Sequence, residues 1–194
     1  MAAPFLIAGL GNPGAEYART RHNAGFLLAE ELAGKWRAAW REERHFEAWV
    51  ARATHDGATV WLARPSTYMN ASGEAVGAVV RYYRVPLHHL LVVVDDADLP
   101  LGTVRMRSEG SAGGHHGLES VERHLGTRGY PRLRLGIGRI EAGRREITGH
   151  VLGRFTEAEA EVFGRVLRHA VAQVTCWIEE DIEKAMARFN GPVP

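Results

Sequence analysis

Short apolar runs alternate along the chain with stretches whose apolar residues recur every three or four positions. Phe5 to Ala8 reads as a short buried strand, and the glycines that follow read as a tight loop. Phe26, Leu27, Leu32 and Trp36 lie at helical spacing, with Thr20 or Asn23 available as the cap. From about Glu47 to Ala53, and more clearly from Ala58 to Ala63, the period changes to two. Asp56-Gly57 between these runs is a hairpin signal, and Pro65 ends the second strand. Ser66 to Asn70 reads as a loop leading into a helix from about Ser72 to Tyr83, with Val76, Val79, Val80 and Tyr83 on one face. Leu90 to Val94 is continuously aliphatic, as expected of a strand covered on both faces, and it stops at Asp95-Asp96-Ala97-Asp98.

Thr103 to Arg107 alternates again. A glycine-rich stretch from Glu109 to Gly117 leads into a short helix through Val121 and Leu125, and Leu133 to Ile137 is a further strand. Thr156-Glu157-Ala158-Glu159 is a capping box that opens a helical pattern running, with a break or bend, to Phe189. Strands and helices alternate throughout and no linker-like stretch divides them. The expected fold is α/β with a mixed sheet, as one domain over residues 1–194.

Composition adds little to this. Hydrophobic residues at 45% and charged residues at 24% are ordinary for a globular protein with a core. The net charge of +1 decides nothing about nucleic acid, but its distribution does. Lysine occurs only at Lys35 and Lys184. Between Thr103 and Arg145 nine arginines (105, 107, 123, 128, 132, 134, 139, 144 and 145) face four acids (Glu109, Glu119, Glu122 and Glu141), a local excess of +5. Cys176 is the one cysteine and sits in a helical pattern, so it reads as core, no intrachain disulfide can form, and a reducing, cytoplasmic setting is expected. There is no signal-peptide pattern and no run of about eighteen apolar residues, so neither secretion nor a membrane partner is expected. Net charge near zero leaves a monomer as the expected state.

Gly9-Leu10-Gly11-Asn12-Pro13-Gly14 matches the dinucleotide fingerprint G-x-G-x-x-G in letters. The fingerprint also requires a helix opening at the glycines and an acidic residue ending a second strand about twenty residues later, and neither is present. A turn that needs glycine φ angles accounts for the glycines, but not for Asn12 and His22 beside them. If the strands ending at Gly9 and Asp95 are near neighbours, His22 and Asp95 meet in the crevice at their carboxyl ends. A carboxylate there would fix the tautomer of a general-base histidine and stabilise its protonated form. The plainer alternatives for Asp95, Asp96 and Asp98 are a solvated turn or a Mg²⁺ site, although the spacing matches no known loop.

No G-x-S-x-G elbow, H-E-x-x-H or C-x-x-C occurs, and the pairs His88-His89 and His115-His116 lack metal-ligand spacing. A hydrolase built from these residues would activate water directly. Asn12, Asn23 and Asn70 are caps or turn residues in the plain reading; converging with a histidine, they would position a water and a carbonyl. Arg105 and Arg107, alternating on one side of a strand beside a glycine-rich turn, suit binding of phosphates.

Taken together, GLGNPGAEYARTRHNAG (9–25), RPSTYMNASG (64–73), DDADLPLG (95–102), GSAGGHHGLES (110–120) and RLRLGIGR (132–139) closely resemble the bacterial peptidyl-tRNA hydrolase family, in the family's order and over most of the chain. The resemblance implies hydrolysis of the ester between a peptide and the 3′-terminal ribose of tRNA. It implies a twisted mixed sheet flanked by helices, with no cofactor and no metal. It implies His22 as catalytic base, Asp95 as its orienting acid, and Asn12 as the substrate contact that distinguishes peptidyl-tRNA from aminoacyl-tRNA. Tyr17, Tyr68, Met69 and Asn70 would line the substrate site, and Arg105, Arg107 and Arg134 would clamp tRNA phosphates. The family's G-G-H-N-G motif is altered here, with His116 in place of the asparagine; the expectation is that His116 contacts the acceptor end or the water and that activity remains. The rival reading is a non-catalytic RNA-binding module, since proteins similar to this family serve in chloroplast RNA splicing. Joint retention of His22, Asp95, Asn12 and Asn70 favours the enzyme. A nucleotide-dependent oxidoreductase has only the glycine match behind it.

Overall fold

The computed structural model describes residues 3–138 and 144–194. Of the nine arginines between Thr103 and Arg145, Arg139 and the side chains of Arg144 and Arg145 lie outside the described residues. Strand β1 (Phe5–Gly9) is central: it pairs in parallel with β4 (Ala58–Pro65) on one side and with β5 (Leu90–Asp96) on the other. Strand β7 (Arg132–Gly136) extends the parallel set beside β5. The flanks are antiparallel, with β3 (Ala48–His55) and β2 (Trp40–Glu43) beyond β4, and β6 (Thr103–Arg107) and the short β8 (Gly191–Pro192) beyond β7. The order in this eight-stranded sheet is β2-β3-β4-β1-β5-β7-β6-β8.

Helices cover both faces. Ile7, Leu91, Val93 and Leu133 pack against α1 (Ala24–Lys35), α5 (Glu157–Glu179) and α6 (Ile182–Phe189). Leu6, Leu90, Val92 and Val94 pack on the other face against α2 (Ser72–Tyr83) and α3 (His116–Leu125). Alternate residues of β1 and β5 thus enter opposite cores, which is why both strands read as unbroken apolar runs rather than as alternation.

The hairpin turn has Asp56 and Gly57 both at positive φ (47° and 74°), the geometry of a type I′ turn. The capping box is present in full: Thr156 Oγ1 accepts from the Glu159 N–H, and Glu159 Oε2 accepts from the Thr156 N–H. The expected break in the last helical pattern falls between α5 and α6, where Asp181 caps the second helix.

Three elements escape the hydrophobic pattern. Strand β2 is Trp-Arg-Glu-Glu at the sheet edge, where polar residues are tolerated because one side faces solvent. The nine-residue α4 (Arg144–Leu152) and the two-residue β8 are too short and too polar to register. At the start of α1, neither Thr20 nor Asn23 caps with its side chain. A 3-10 turn over Arg21–Asn23 intervenes, and the Asn23 amide is committed elsewhere.

The glycines after β1 also have a different cause from the expected one. Only Gly14 among Gly9, Gly11 and Gly14 has positive φ (108°). Gly9 and Gly11 are required by closeness. A Cβ on Gly9 would lie 2.1 Å from the Gly25 carbonyl oxygen, and one on Gly11 would lie 2.8 Å from the Phe26 ring. A Cβ on Gly25 would lie 2.3 Å from the Val93 oxygen and 2.5 Å from the Leu10 nitrogen. The first turn of α1 therefore rests directly on the backbone at the carboxyl ends of β1 and β5. Gly25→Ala is expected to destabilise the fold by ~3 kcal/mol or more, the upper end of overpacking costs. Urea unfolding would read this as a lower midpoint at constant slope; a midpoint equal to that of the parent would contradict the packing.

Candidate active site

The parallel strands β1, β4, β5 and β7 all end at one edge of the sheet, the edge at which an open α/β sheet forms its crevice. The loop after β1 carries Asn12, the 3-10 turn before α1 carries His22, the loop after β4 carries Tyr68 to Asn70, and β5 ends in Asp95 and Asp96. The glycine-rich loop before α3 brings His115 to the same place.

Asp95 is 2% exposed. Its Oδ1 lies 2.9 Å from His22 Nδ1 and 3.1 Å from His115 Nε2. Burial pushes its carboxyl up, but hydrogen bonds from the His115 and His22 rings outweigh burial and hold it down to about 2. An ionised carboxylate only accepts, so both facing ring nitrogens carry protons. His115 Nδ1 accepts the Leu118 N–H at 3.3 Å, capping α3, so both nitrogens of His115 are engaged in one fixed tautomer. His22 is left with Nε2 as an open lone pair, the one ring nitrogen of the cluster with no hydrogen-bond partner among the described residues.

Asn12, buried beside this cluster, is held by its own backbone. Its N–H donates to Asn23 Oδ1 and its carbonyl accepts from Asn23 Nδ2, both at 2.9 Å. Its Oδ1 accepts the Met69 N–H at 2.8 Å. A backbone N–H can bond only to oxygen here, so the orientation of the Asn12 amide is determined and its NH₂ group remains available as a donor. Met69 is buried, while Tyr68 and Asn70 on either side are exposed. Tyr17 stands edge-on to Tyr68, with ring centroids 6.4 Å apart. His116 points away from the Asp95 cluster. It occupies the first turn of α3 with a largely exposed side chain, its Nδ1 2.9 Å from Glu119.

The acidic run after β5 is divided rather than gathered. Asp96 Oδ2 pairs with Arg134 at 3.2 Å, and its Oδ1 accepts the Asp98 N–H. The group suited by element type to a metal is instead His22, Asp95 and His115, whose ligand atoms lie within 4.8 Å of one another. It fits protons better than a cation. Coordination through His115 Nε2 would move that ring's proton to Nδ1, against the Leu118 N–H.

Strands β6 and β7 set four arginines on one face, with Arg105 opposite Arg134 and Arg107 opposite Arg132. The inner pair is engaged: Arg132 binds the carbonyls of Gly110, Arg128 and Tyr130, and Arg134 binds Asp96 and the carbonyls of Ser111 and Ala112. They hold the glycine-rich loop in shape. Arg105 and Arg107 are exposed, and no carboxylate among the described residues pairs with them.

The sequence singles out His22, Asp95 and Asn12 and passes over His115, while Asn23, weighed there as a cap or a water-positioning amide, holds the Asn12 backbone. In the sequence His115 is half of a histidine pair without metal-ligand spacing, although its place after two glycines of positive φ and before a helix marks it as a cap. Asn23 carries a helix-cap signal that in fact serves Asn12.

The family model described as peptidyl-tRNA hydrolase matches residues 6–193. The peptidyl-tRNA hydrolase of Synechococcus sp. (strain JA-3-3Ab) is 50% identical over 185 residues, which is 95% of this chain and 82% of that protein. That of Carboxydothermus hydrogenoformans is 47% identical over 186 residues, covering 96% of this chain and 98% of the relative. The crystal structure of peptidyl-tRNA hydrolase from Acinetobacter baumannii superposes with a TM-score of 0.93 at 35% identity, over 100% of this chain and 98% of that one.

The lowered carboxyl of Asp95 sets a sign for acid stability. A group depressed in the folded state stabilises above its unfolded value near ~4, and that contribution is lost as pH falls towards ~2. The difference in unfolding free energy between the parent and Asp95→Asn is therefore expected to narrow between pH ~5 and ~2. Urea titrations at stepped pH measure it, and a constant difference would argue against the carboxylate.

Proposed function

The chain belongs to the peptidyl-tRNA hydrolase family, and from that membership we propose how its own residues carry the reaction. The enzyme hydrolyses the ester that joins peptide to tRNA. In the proposed mechanism, neutral His22 takes a proton through Nε2 from the water that attacks the ester carbonyl. Asp95 stabilises the imidazolium that results, and the proton passes to the departing ribose oxygen. The observation that carries this assignment is the open Nε2 of His22 in a cluster whose other ring nitrogens are all engaged. His115 holds Asp95 from the opposite side and is a positioning residue.

The NH₂ of Asn12 donates to a carbonyl of the substrate, a contact that favours a peptide over a free amino group. Asn70, or a backbone N–H of the glycine loops, donates to the developing oxyanion. Tyr17, Tyr68 and Met69 line the peptide and acceptor-end site, and His116, exposed beside it, contacts the acceptor end rather than the water. Arg105 and Arg107 bind tRNA phosphates. Arg134, its guanidinium already engaged, contributes through the loop it holds. In this reading the chain acts as a single domain and a monomer in the cytoplasm. Among the described residues no helix is long and apolar enough to cross a membrane.

His22→Ala is expected to lower kcat by ~10²- to 10⁴-fold while the Kd for tRNA stays at the parent value. Release of labelled peptide measures the first and a filter-binding titration the second; full kcat would overturn the mechanism. Arg105→Ala with Arg107→Ala should weaken tRNA binding at low salt. The slope of log K against log salt should become shallower by about one for each phosphate that is no longer neutralised. An unchanged slope would place the phosphate site elsewhere.

A further inference from the structure

Arg21 precedes the proposed base, and its side chain turns away from the crevice into the protein. The residue is 8% exposed. Its backbone N–H donates to the Gly153 carbonyl at 2.9 Å, one guanidinium nitrogen lies 3.3 Å from the His150 carbonyl, and the other lies 2.8 Å from Glu159 Oε2. The guanidinium sits over the Phe155 ring at 5.2 Å, and that ring stacks on Phe163. Glu159 Oε2 is the same atom that accepts the Thr156 N–H in the capping box of α5. One carboxylate oxygen therefore both starts the longest helix and anchors the residue before His22.

The geometry points to Arg21 and Glu159 as a positioning pair for His22, an assignment that rests on His22 being the base. Each residue of the segment is anchored in a different direction. Thr20 bridges to Arg154, Arg21 to the α4–α5 junction, His22 to Asp95 and Asn23 to Asn12. A 3-10 turn of three residues has little internal hydrogen bonding, so these outside anchors set its orientation. Among them only the Arg21–Glu159 contact is an ion pair largely sheltered on the arginine side, with side-chain exposures of 10% and 31%. Releasing it frees the turn to shift, which loosens the seat of the His22 ring on Asp95 and misaims Nε2 while leaving the substrate surfaces in place. Among the described residues, the titratable and charged groups facing His22 are Asp95 from β5 and His115 from the loop before α3. Those facing Arg21 are Glu159 from α5 and, through its carbonyl, His150 from α4.

Glu159→Gln separates this role from plain stability. Glutamine keeps a carbonyl oxygen for the Thr156 N–H, so the capping box survives, but the charge that holds Arg21 is gone. The expected result for Glu159→Gln and Arg21→Ala is a kcat lower by roughly 10- to 100-fold with KM within about twofold, the scale of a small misplacement of a reacting group. The acid limb of kcat against pH should move, because the imidazolium is no longer seated on Asp95. Arg21→Lys should recover part of kcat, and the Arg21→Ala/Glu159→Gln double variant should lose no more than either single change. Parent-like kcat and acid limb in Glu159→Gln, with only the melting temperature altered, would overturn the assignment. A parent enzyme whose kcat shows no acid limb would instead overturn His22 as the base, so the two failures are distinct.

Discussion

A single buried carboxylate governs the organisation of the site. Asp95 lies at the end of the most completely buried strand, where an ion without partners would cost several kcal/mol. Two imidazole N–H groups remove that cost, and they come from opposite sides of the sheet: His22 from the turn before α1, and His115 from the loop before α3. Helix α1 belongs to one core and α3 to the other. Satisfying one anion therefore ties together the two layers that the sheet otherwise separates. It also fixes both tautomers, so the free lone pair on His22 follows from solvation rather than from any feature of His22 itself.

Much of this is legible in the residues. The aliphatic run Leu90 to Val94, stopping abruptly at a carboxylate, indicates both a central strand and a charge at its end, because continuous apolarity and a terminal acid leave few other arrangements. His22 and Asn12 stand out because a turn alone does not require them. His115 does not, since its informative property is the geometry of its other nitrogen, and a cap made by a histidine ring has no established sequence signature. Asn23 misleads in a physical way: the same amide that can cap a helix can clamp a neighbouring backbone, and only the fold decides which donor and acceptor lie within reach. Gly9 and Gly11 are legible as necessary but not as to cause, because close approach and positive φ call for the same residue.

The arginine-rich half shows a similar division. Four like charges on adjacent strands repel, and such an arrangement persists only where something neutralises it. The inner two are paired, Arg134 with Asp96 at 3.2 Å and Arg132 with Glu122 at 3.6 Å, and loop carbonyls accept from both, so they hold the loop in shape. The outer two are left to solvent and to whatever anion arrives. A count of charges along the sequence merges these populations, although one is paired with carboxylates and the other is exposed.

The contact between the first turn of α1 and the backbone of β1 and β5 bears on motion as well as packing. The Leu10 amide donates to the Val93 carbonyl at the point where Gly25 presses closest. Water can reach that amide only if the helix lifts from both strands, which opens the core on that face. The floor of the crevice thus has no low-energy opening of its own, and its amides should exchange with solvent on the timescale of global unfolding, whereas the rims, built of exposed loops, exchange freely. The floor of the crevice and the folding core are, in that sense, one cooperative unit.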